Sequence, residues 1–261
     1  MTSPARVFAV LDLFTLARPT WSADEINQAL GYTRPTGYRY VKELVDAGFL
    51  QKASGSRYAL GARIIMLDYQ LRQTDPVLQA LTPLLEGLVQ RSGFDAVVTA
   101  ALHEQIVDTY RVSATQSLPL RYGRGRARPF YQGAAAKVLL AFQPRARRER
   151  WLRNQIAQLA AEGTALSLTE LRQQIDSIRR AGGYLSIGEL DPGVGAYAVP
   201  LFDADGELRS ALALVGRNDA LLACGVEPLR GWLDAVAQAF TRELALREHD
   251  TSGQTGVTGV T

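Results

Sequence analysis

The sequence predicts an α+β chain of two domains. A winged helix-turn-helix occupies residues 4–62, and a linker helix at 63–83 leads to a larger α/β domain at 84–250. Three observations carry this. The N-terminal stretch holds three short helical patterns with a tight turn between the second and third, followed by a hairpin pattern. After Gly93 the periodicity shifts from helical spacing to runs of strand-forming residues. The chain has 261 residues, against a prior of about 150 per domain.

Each element has a local reason. Ser3-Pro4 is a helix start, with proline placed where its missing N–H costs nothing. Val7, Val10, Leu11 and Phe14 follow at i, i+3, i+4 and i+7, so the first helix is expected to run on and stop before Arg18-Pro19. Ser22-Ala23-Asp24-Glu25 is a capping box that opens the second helix. Ala23, Ile26 and Leu30 are its apolar stripe, and Gly31 closes it. Thr33 caps a third helix, which tolerates Pro35 in its first turn, buries Val41, Leu44 and Val45, and ends at Gly48. Phe49–Lys52 and Arg57–Leu60, flanking Ala53-Ser54-Gly55-Ser56, read as a hairpin.

Helical periodicity returns from Ala62 to Arg91, with breaks near Asp75-Pro76 and Thr82-Pro83. Strands are expected at Asp95–Leu102, Ile106–Val112 and Ser117–Tyr122, and a buried helix at Ala134–Phe142. A helix over Arg145–Arg153 and another opened by the capping box Ser167–Glu170 lead to the stop at Gly182-Gly183. Tyr184–Ile187, Val194–Phe202 and Leu208–Gly216 are the remaining strands, the last two joined by the turn Asp203-Ala204-Asp205-Gly206. Leu229, Trp232, Leu233, Val236, Phe240 and Leu244 mark a closing helix, and the tail 251–261 carries no core pattern and is expected to be disordered.

Composition excludes several function classes. With 47% apolar and 21% charged residues the chain is an ordinary globular sequence, without a run long enough for a membrane span. One cysteine, Cys224, forbids an intrachain disulfide and fits a reducing cytoplasm. One cysteine and two distant histidines cannot form a zinc site with the usual spacings, and no metal or other cofactor is expected. No nucleophile elbow, zinc-protease motif or Walker loop is present, so no catalytic residues are assigned. Twenty-nine basic against twenty-six acidic residues give only +3, so the placement of charge matters more than its sum.

That placement points at the third helix, whose first three turns carry Arg34, Thr36, Arg39 and Lys42 against one acid, Glu43. A helix that enters the major groove needs such a polar, basic face, although a solvated face in a small bundle would look similar. The ordered strings Arg6–Leu11, Ser22–Ile26, Thr36–Arg39, Leu44–Leu50 and Tyr58–Gly61 resemble the IclR family of bacterial transcriptional regulators. So do Gly133–Ala141, Ile178–Tyr184 and Gly193–Asp203, which extends the resemblance over residues 4 to 250.

The resemblance implies a GAF-like effector-binding domain, an organic-acid effector, and a homodimer or dimer of dimers on a palindromic operator in double-stranded DNA. Membrane attachment is not implied. On the DNA side it marks Arg34, Pro35, Thr36, Tyr38, Arg39, Lys42 and, on the wing, Arg57. Arg34 and Thr36 are expected at base edges and Arg39 and Lys42 at phosphates, with Arg57 reaching adjacent backbone or minor groove. Gly37 departs from the apolar residue expected there and lowers helix stability by roughly 0.5–1 kcal/mol relative to alanine.

For the effector the resemblance marks Arg128, Tyr131, Ala134, Ala135, Ser186, Ala196, Ala213 and Val215. Ala213 and Val215, where some relatives carry hydroxyls, favour an aromatic or longer apolar acid over a small keto acid, though plain core packing accounts for them as well. Arg121, Arg124, Arg126 and Arg128 are candidate carboxylate partners. The alternative from another class is a small-molecule-binding or hydrolytic α/β enzyme with a degenerate DNA-binding head.

Overall fold

A computed structural model describes residues 3–102, 105–114, 118, 120, 123–161 and 167–254. The chain divides into two compact units, Met1–Asp75 and Pro76–Thr261. Most of the expected strand at Ser117–Tyr122, including Arg121, and most of the tail lie outside the described residues; Leu118 and Leu120 are described and are not in a strand.

In the first unit, α1 (Ser3–Leu11) ends sooner than its periodicity predicts. The indole of Trp21 donates to the Leu13 carbonyl (2.9 Å), and Thr15 and Arg18 exchange backbone hydrogen bonds, so the chain turns before Phe14 can extend the helix. Trp21–Ser22 then forms a short strand, β1, that the sequence does not announce. Helix α2 (Ala23–Leu30) has both halves of its capping box and a left-handed C-cap at Gly31, φ 66°. Helix α3 (Arg34–Asp46) follows after the turn 31–33. Strands β2 (Leu50–Ala53) and β3 (Arg57–Leu60) form the wing, and β3 lies between β2 and β1. Val10, Ile26, Val41, Leu44 and Leu50 close a small core, each at most 3% exposed. Helix α4 (Arg63–Thr74) has no buried residue.

The second unit is an antiparallel sheet with helices on both faces. Helix α5 (Pro76–Ser92) precedes β4 (Asp95–Leu102) and β5 (Gln105–Val112), a hairpin as expected. The helix break thus falls at Asp75-Pro76, inside the stretch read as one linker helix at 63–83. A two-residue strand β6 (Ala127–Arg128) and helices α6 (Ala134–Phe142), α7 (Arg145–Ala161) and α8 (Leu168–Ala181) follow. Strands β7 (Tyr184–Ile187), β8 (Val194–Phe202) and β9 (Leu208–Arg217), then α9 (Asn218–Cys224) and α10 (Val226–Gln254), complete the unit. Helix α10 enters the stretch read as a disordered tail.

The sheet order is β6-β5-β4-β9-β8-β7. Period-two alternation explains its two faces. Leu212 and Leu214 of β9 with Tyr197, Val199 and Leu201 of β8 pack against α5 and α10. The intervening Ala211, Ala213 and Ala198 pack under the alanine-rich α6. Small residues on both sides let α6 approach the sheet closely and leave a cleft at its N-terminal end.

Candidate nucleic-acid interface and ligand cleft

Helix α3 meets solvent with Arg34, Pro35, Tyr38, Arg39 and Lys42, while Tyr40, Val41 and Leu44 face the core and Thr36 is half-buried. The 3.6-residue period therefore brings the expected basic residues onto one exposed face. Arg39 pairs loosely with Glu43 at 3.8 Å, one turn on, and stays 61% exposed. Thr33 donates to the Thr36 hydroxyl (2.9 Å) rather than capping the helix amides. The Arg34 guanidinium makes a two-bond pair with Asp24 of α2, each bond 3.0 Å. That contact is what mainly lowers the Asp24 pKa.

One expectation in this unit needs correction. Arg57, expected on the DNA side of the wing, turns into the unit instead. It donates to the Thr20 carbonyl (2.8 Å) and hydroxyl (3.0 Å), and pairs with Glu25 at 2.9 Å. Its role is to fasten β3 to the start of α2, and the exposed cation on the wing is Lys52 of β2. Gly37 sits where the two helices cross. A Cβ there would fall 1.5 Å from Oδ1 of the buried Asn27, so glycine is what allows α2 and α3 to cross.

The second unit carries a cleft at the start of α6, with about 500 Å³ of empty space counted to its open mouth. Arg128, Ala134, Ala135, Ser186, Ala196, Ala213 and Val215 all line it, and Tyr131 does not. Register explains the convergence. Ser186 pairs with Ala196, Ala196 with Val215, and Ala213 with Val97, so neighbouring strands present one face at the same level. The neighbouring Phe130 turns edge-on to the buried Trp151, 4.5 Å between ring centroids, and serves the core.

Sequence reading missed the loop between β7 and β8. Leu190 and Asp191 line the cleft, and the residue before them, Glu189, ties the loop to α6. The Glu189 carboxylate accepts from the Gly133 amide (2.9 Å), the Lys137 ammonium (2.9 Å) and the Tyr184 hydroxyl (2.8 Å). Burial, then the neighbouring Glu189, pushes the Tyr184 pKa up. Gly188 and Gly193, at φ 67° and 81°, bracket the loop. Glycines spaced so around an acidic, proline-containing stretch were the available signal, and they read equally as an ordinary turn.

The cleft's polar groups are few. Arg128 is nearly buried and pairs with Asp108 (2.5 Å), which also accepts from Thr99 (2.8 Å). Gly133 supplies no side-chain cap, and Ala134 and Ala135 in the first turn of α6 border the cleft together with Asp191. Of the other candidate arginines, Arg124 donates to the Thr109 carbonyl and Arg126 is exposed, away from the cleft lining. Among the described residues no group of three or more His, Cys, Asp or Glu could hold a metal ion, and no helix is long and apolar enough to cross a membrane.

A helix-turn-helix with an exposed basic helix, joined in one chain to an α/β unit with a cleft, defines the class of DNA-binding regulators. Comparisons with known proteins give the particular family. Residues 70–242 match the model "Bacterial transcriptional regulator IclR C-terminal", and residues 3–54 match the IclR helix-turn-helix domain. The transcriptional regulator KipR of Bacillus subtilis is 24% identical over 80% of this chain and 83% of its own length. A transcriptional regulator from Rhodococcus sp. RHA1 superposes with a TM-score of 0.76 at 24% identity, covering 94% of this chain and 99% of that one. An IclR homolog from Microbacterium hydrocarbonoxydans, solved with 4-hydroxybenzoate, gives 0.73 at 22% identity, covering 94% and 100%. The chain belongs to the IclR family and is a DNA-binding transcriptional regulator.

Proposed function

We propose that this regulator binds a palindromic operator as a homodimer or dimer of dimers, and that a small organic acid in the α6 cleft shifts its operator affinity. The acid carries an aromatic or extended apolar body. One observation carries the ligand reading: a floor of Ala196, Ala213, Val97 and Val215 is bordered by Arg128 and the start of α6. Apolar walls favour an apolar body, and the arginine and helix amides favour a carboxylate at one end. Because Asp108 already neutralises much of the Arg128 charge, the α6 amides take the larger share of the anion. The related Microbacterium protein holding 4-hydroxybenzoate supports the same class.

On the DNA, Arg34 and Thr36 read base edges, and Arg39 and Lys42 hold phosphates. Ligand binding changes the balance of conformations that present two heads to one duplex. No chemical turnover is assigned to the cleft. The test is fluorescence anisotropy of the chain on its own upstream intergenic DNA, with salt titration and a panel of aromatic and aliphatic acids. Binding above random DNA, moved by an aromatic acid, is the expected result. Response to glyoxylate or pyruvate with none to benzoate-type acids overturns the ligand class, and turnover without DNA binding favours an enzyme.

A further inference from the structure

The pairing of Arg34 with Asp24 has a geometric consequence for base reading. A guanidinium has two edges that can each make two parallel hydrogen bonds, one formed by Nε and Nη2 and the other by Nη1 and Nη2. Asp24 occupies the first: Nε bonds Oδ1 and Nη2 bonds Oδ2, both at 3.0 Å. Among the described residues no other group hydrogen-bonds this guanidinium, so the Nη1–Nη2 edge stays open. Arg34 remains 74% exposed, in the first turn of the helix offered to DNA.

A carboxylate close to a DNA-binding face works against binding, since it faces the phosphate charge of the duplex. What it supplies is order. A guanidinium fixed through its side edge presents its end edge as two parallel donors at a set angle, which matches the O6 and N7 acceptors of guanine in the major groove. Adenine offers N7 beside an amino donor, and no other base offers two adjacent acceptors there. We propose that Asp24 is a specificity-determining positioning residue, holding Arg34 so that it reads a guanine in each operator half-site. This rests on the assignment of Arg34 to base edges made above and deepens it.

The experiment is selection of bound duplexes from a randomised DNA pool by the full chain, followed by affinity measurements on single-base variants of the selected site. Wild type, Arg34→Lys, Asp24→Asn and Asp24→Ser are compared, with thermal melts to check folding. The wild type is expected to prefer guanine about ten- to a hundredfold at one position per half-site. Arg34→Lys, which keeps the charge but not the fork, is expected to lose that preference alone. Both Asp24 variants are expected to flatten it at least about fivefold, with affinity for random DNA unchanged or tighter because a repelling charge is gone. Three results overturn the proposal: an unchanged profile in the Asp24 variants, an Arg34-dependent position that is not guanine, or equal loss of affinity on all sequences. A wild-type chain that enriches no sequence takes down the operator reading itself, a failure distinct from those three.

Discussion

Gly37 and Asn27 meet where α2 crosses α3, and their contact makes a sharp stability prediction. Alanine normally favours a helix over glycine by about 1 kcal/mol. Here the added methyl would overlap the Asn27 amide, whose nitrogen and oxygen are both buried and have no hydrogen-bond partner among the described residues. Gly37→Ala is therefore expected to destabilise the first unit by about 1–2 kcal/mol, the usual size of an overpacking strain. In an Asn27→Ala background the same change becomes neutral or stabilising, because the obstruction and the unsatisfied amide leave together. Hydrogen exchange of the α2 and α3 amides measures both, and simple additivity of the two substitutions would refute the contact. Glu25 makes a second prediction at this scale. It accepts from the Ser22 amide (2.7 Å) and pairs with Arg18 (2.8 Å) and Arg57 (2.9 Å). The Ser22 backbone bond is the main reason that its pKa falls from 4.5 to about 2. A lowered carboxylate pKa stabilises the fold above the unfolded value and stops doing so as pH falls through the folded one. Stability of the first unit is thus expected to drop between about pH 4.5 and 2, and Glu25→Gln to show a shallower drop in urea melts across that range.

Elements differ in how far the sequence announces them, and the reason is whether their signals are local. The capping boxes at Ser22 and Ser167 and the left-handed stops at Gly31 and Gly182 act within a turn or two, and α2 and α8 start and stop where those residues say. The Asp203–Gly206 turn likewise set the inner ends of β8 and β9. Long-range partner choice was not legible. Nothing near Trp21 says that it will pair across to Tyr58, nor that Arg57 will prefer Glu25 and Thr20 to solvent. The cleft was legible in its strand residues, because alternation fixes which of them share a face, but not in Leu190 or Asp191, which arrive by loop. The loop's fastening yields the prediction that belongs here. Lys137 is 8% exposed, and Glu189 is its one carboxylate partner among the described residues. Glu189→Gln leaves that ammonium with the Tyr184 hydroxyl and an amide oxygen, and is expected to destabilise the second unit by about 1–3 kcal/mol. Binding of an aromatic acid in the cleft should weaken with it, as the loop carrying Leu190 and Asp191 loses its tie. Differential scanning calorimetry and isothermal titration read the two effects, and a variant as stable as wild type would mean that the buried pair is idle.

At the scale of the whole molecule, one helix is unexplained by a single chain. Helix α4 buries none of its residues, yet Ile65 is 73% exposed, Tyr69 65%, Leu71 55% and Met66 53%. Large apolar side chains left in water on one helix in this number mark a contact with another macromolecule. A palindromic operator asks for two heads related by a two-fold axis, and an isologous contact between two copies of α4 satisfies that symmetry while covering these side chains. Substituting Ile65→Glu with Tyr69→Glu places charges in that contact and removes nothing from a core, so each unit should keep its melting behaviour. Sedimentation analysis is expected to show an oligomer for the wild type and a shift to monomer for the variant. Operator affinity should fall by about a hundredfold or more, because the second half-site is no longer engaged within one complex. Affinity for a single isolated half-site should stay nearly constant, since α3 and its bonds to α2 are untouched. That combination separates assembly from base reading. An unchanged sedimentation profile would place the oligomer contact elsewhere, and a matching loss on the isolated half-site would show that α4 supports the head itself.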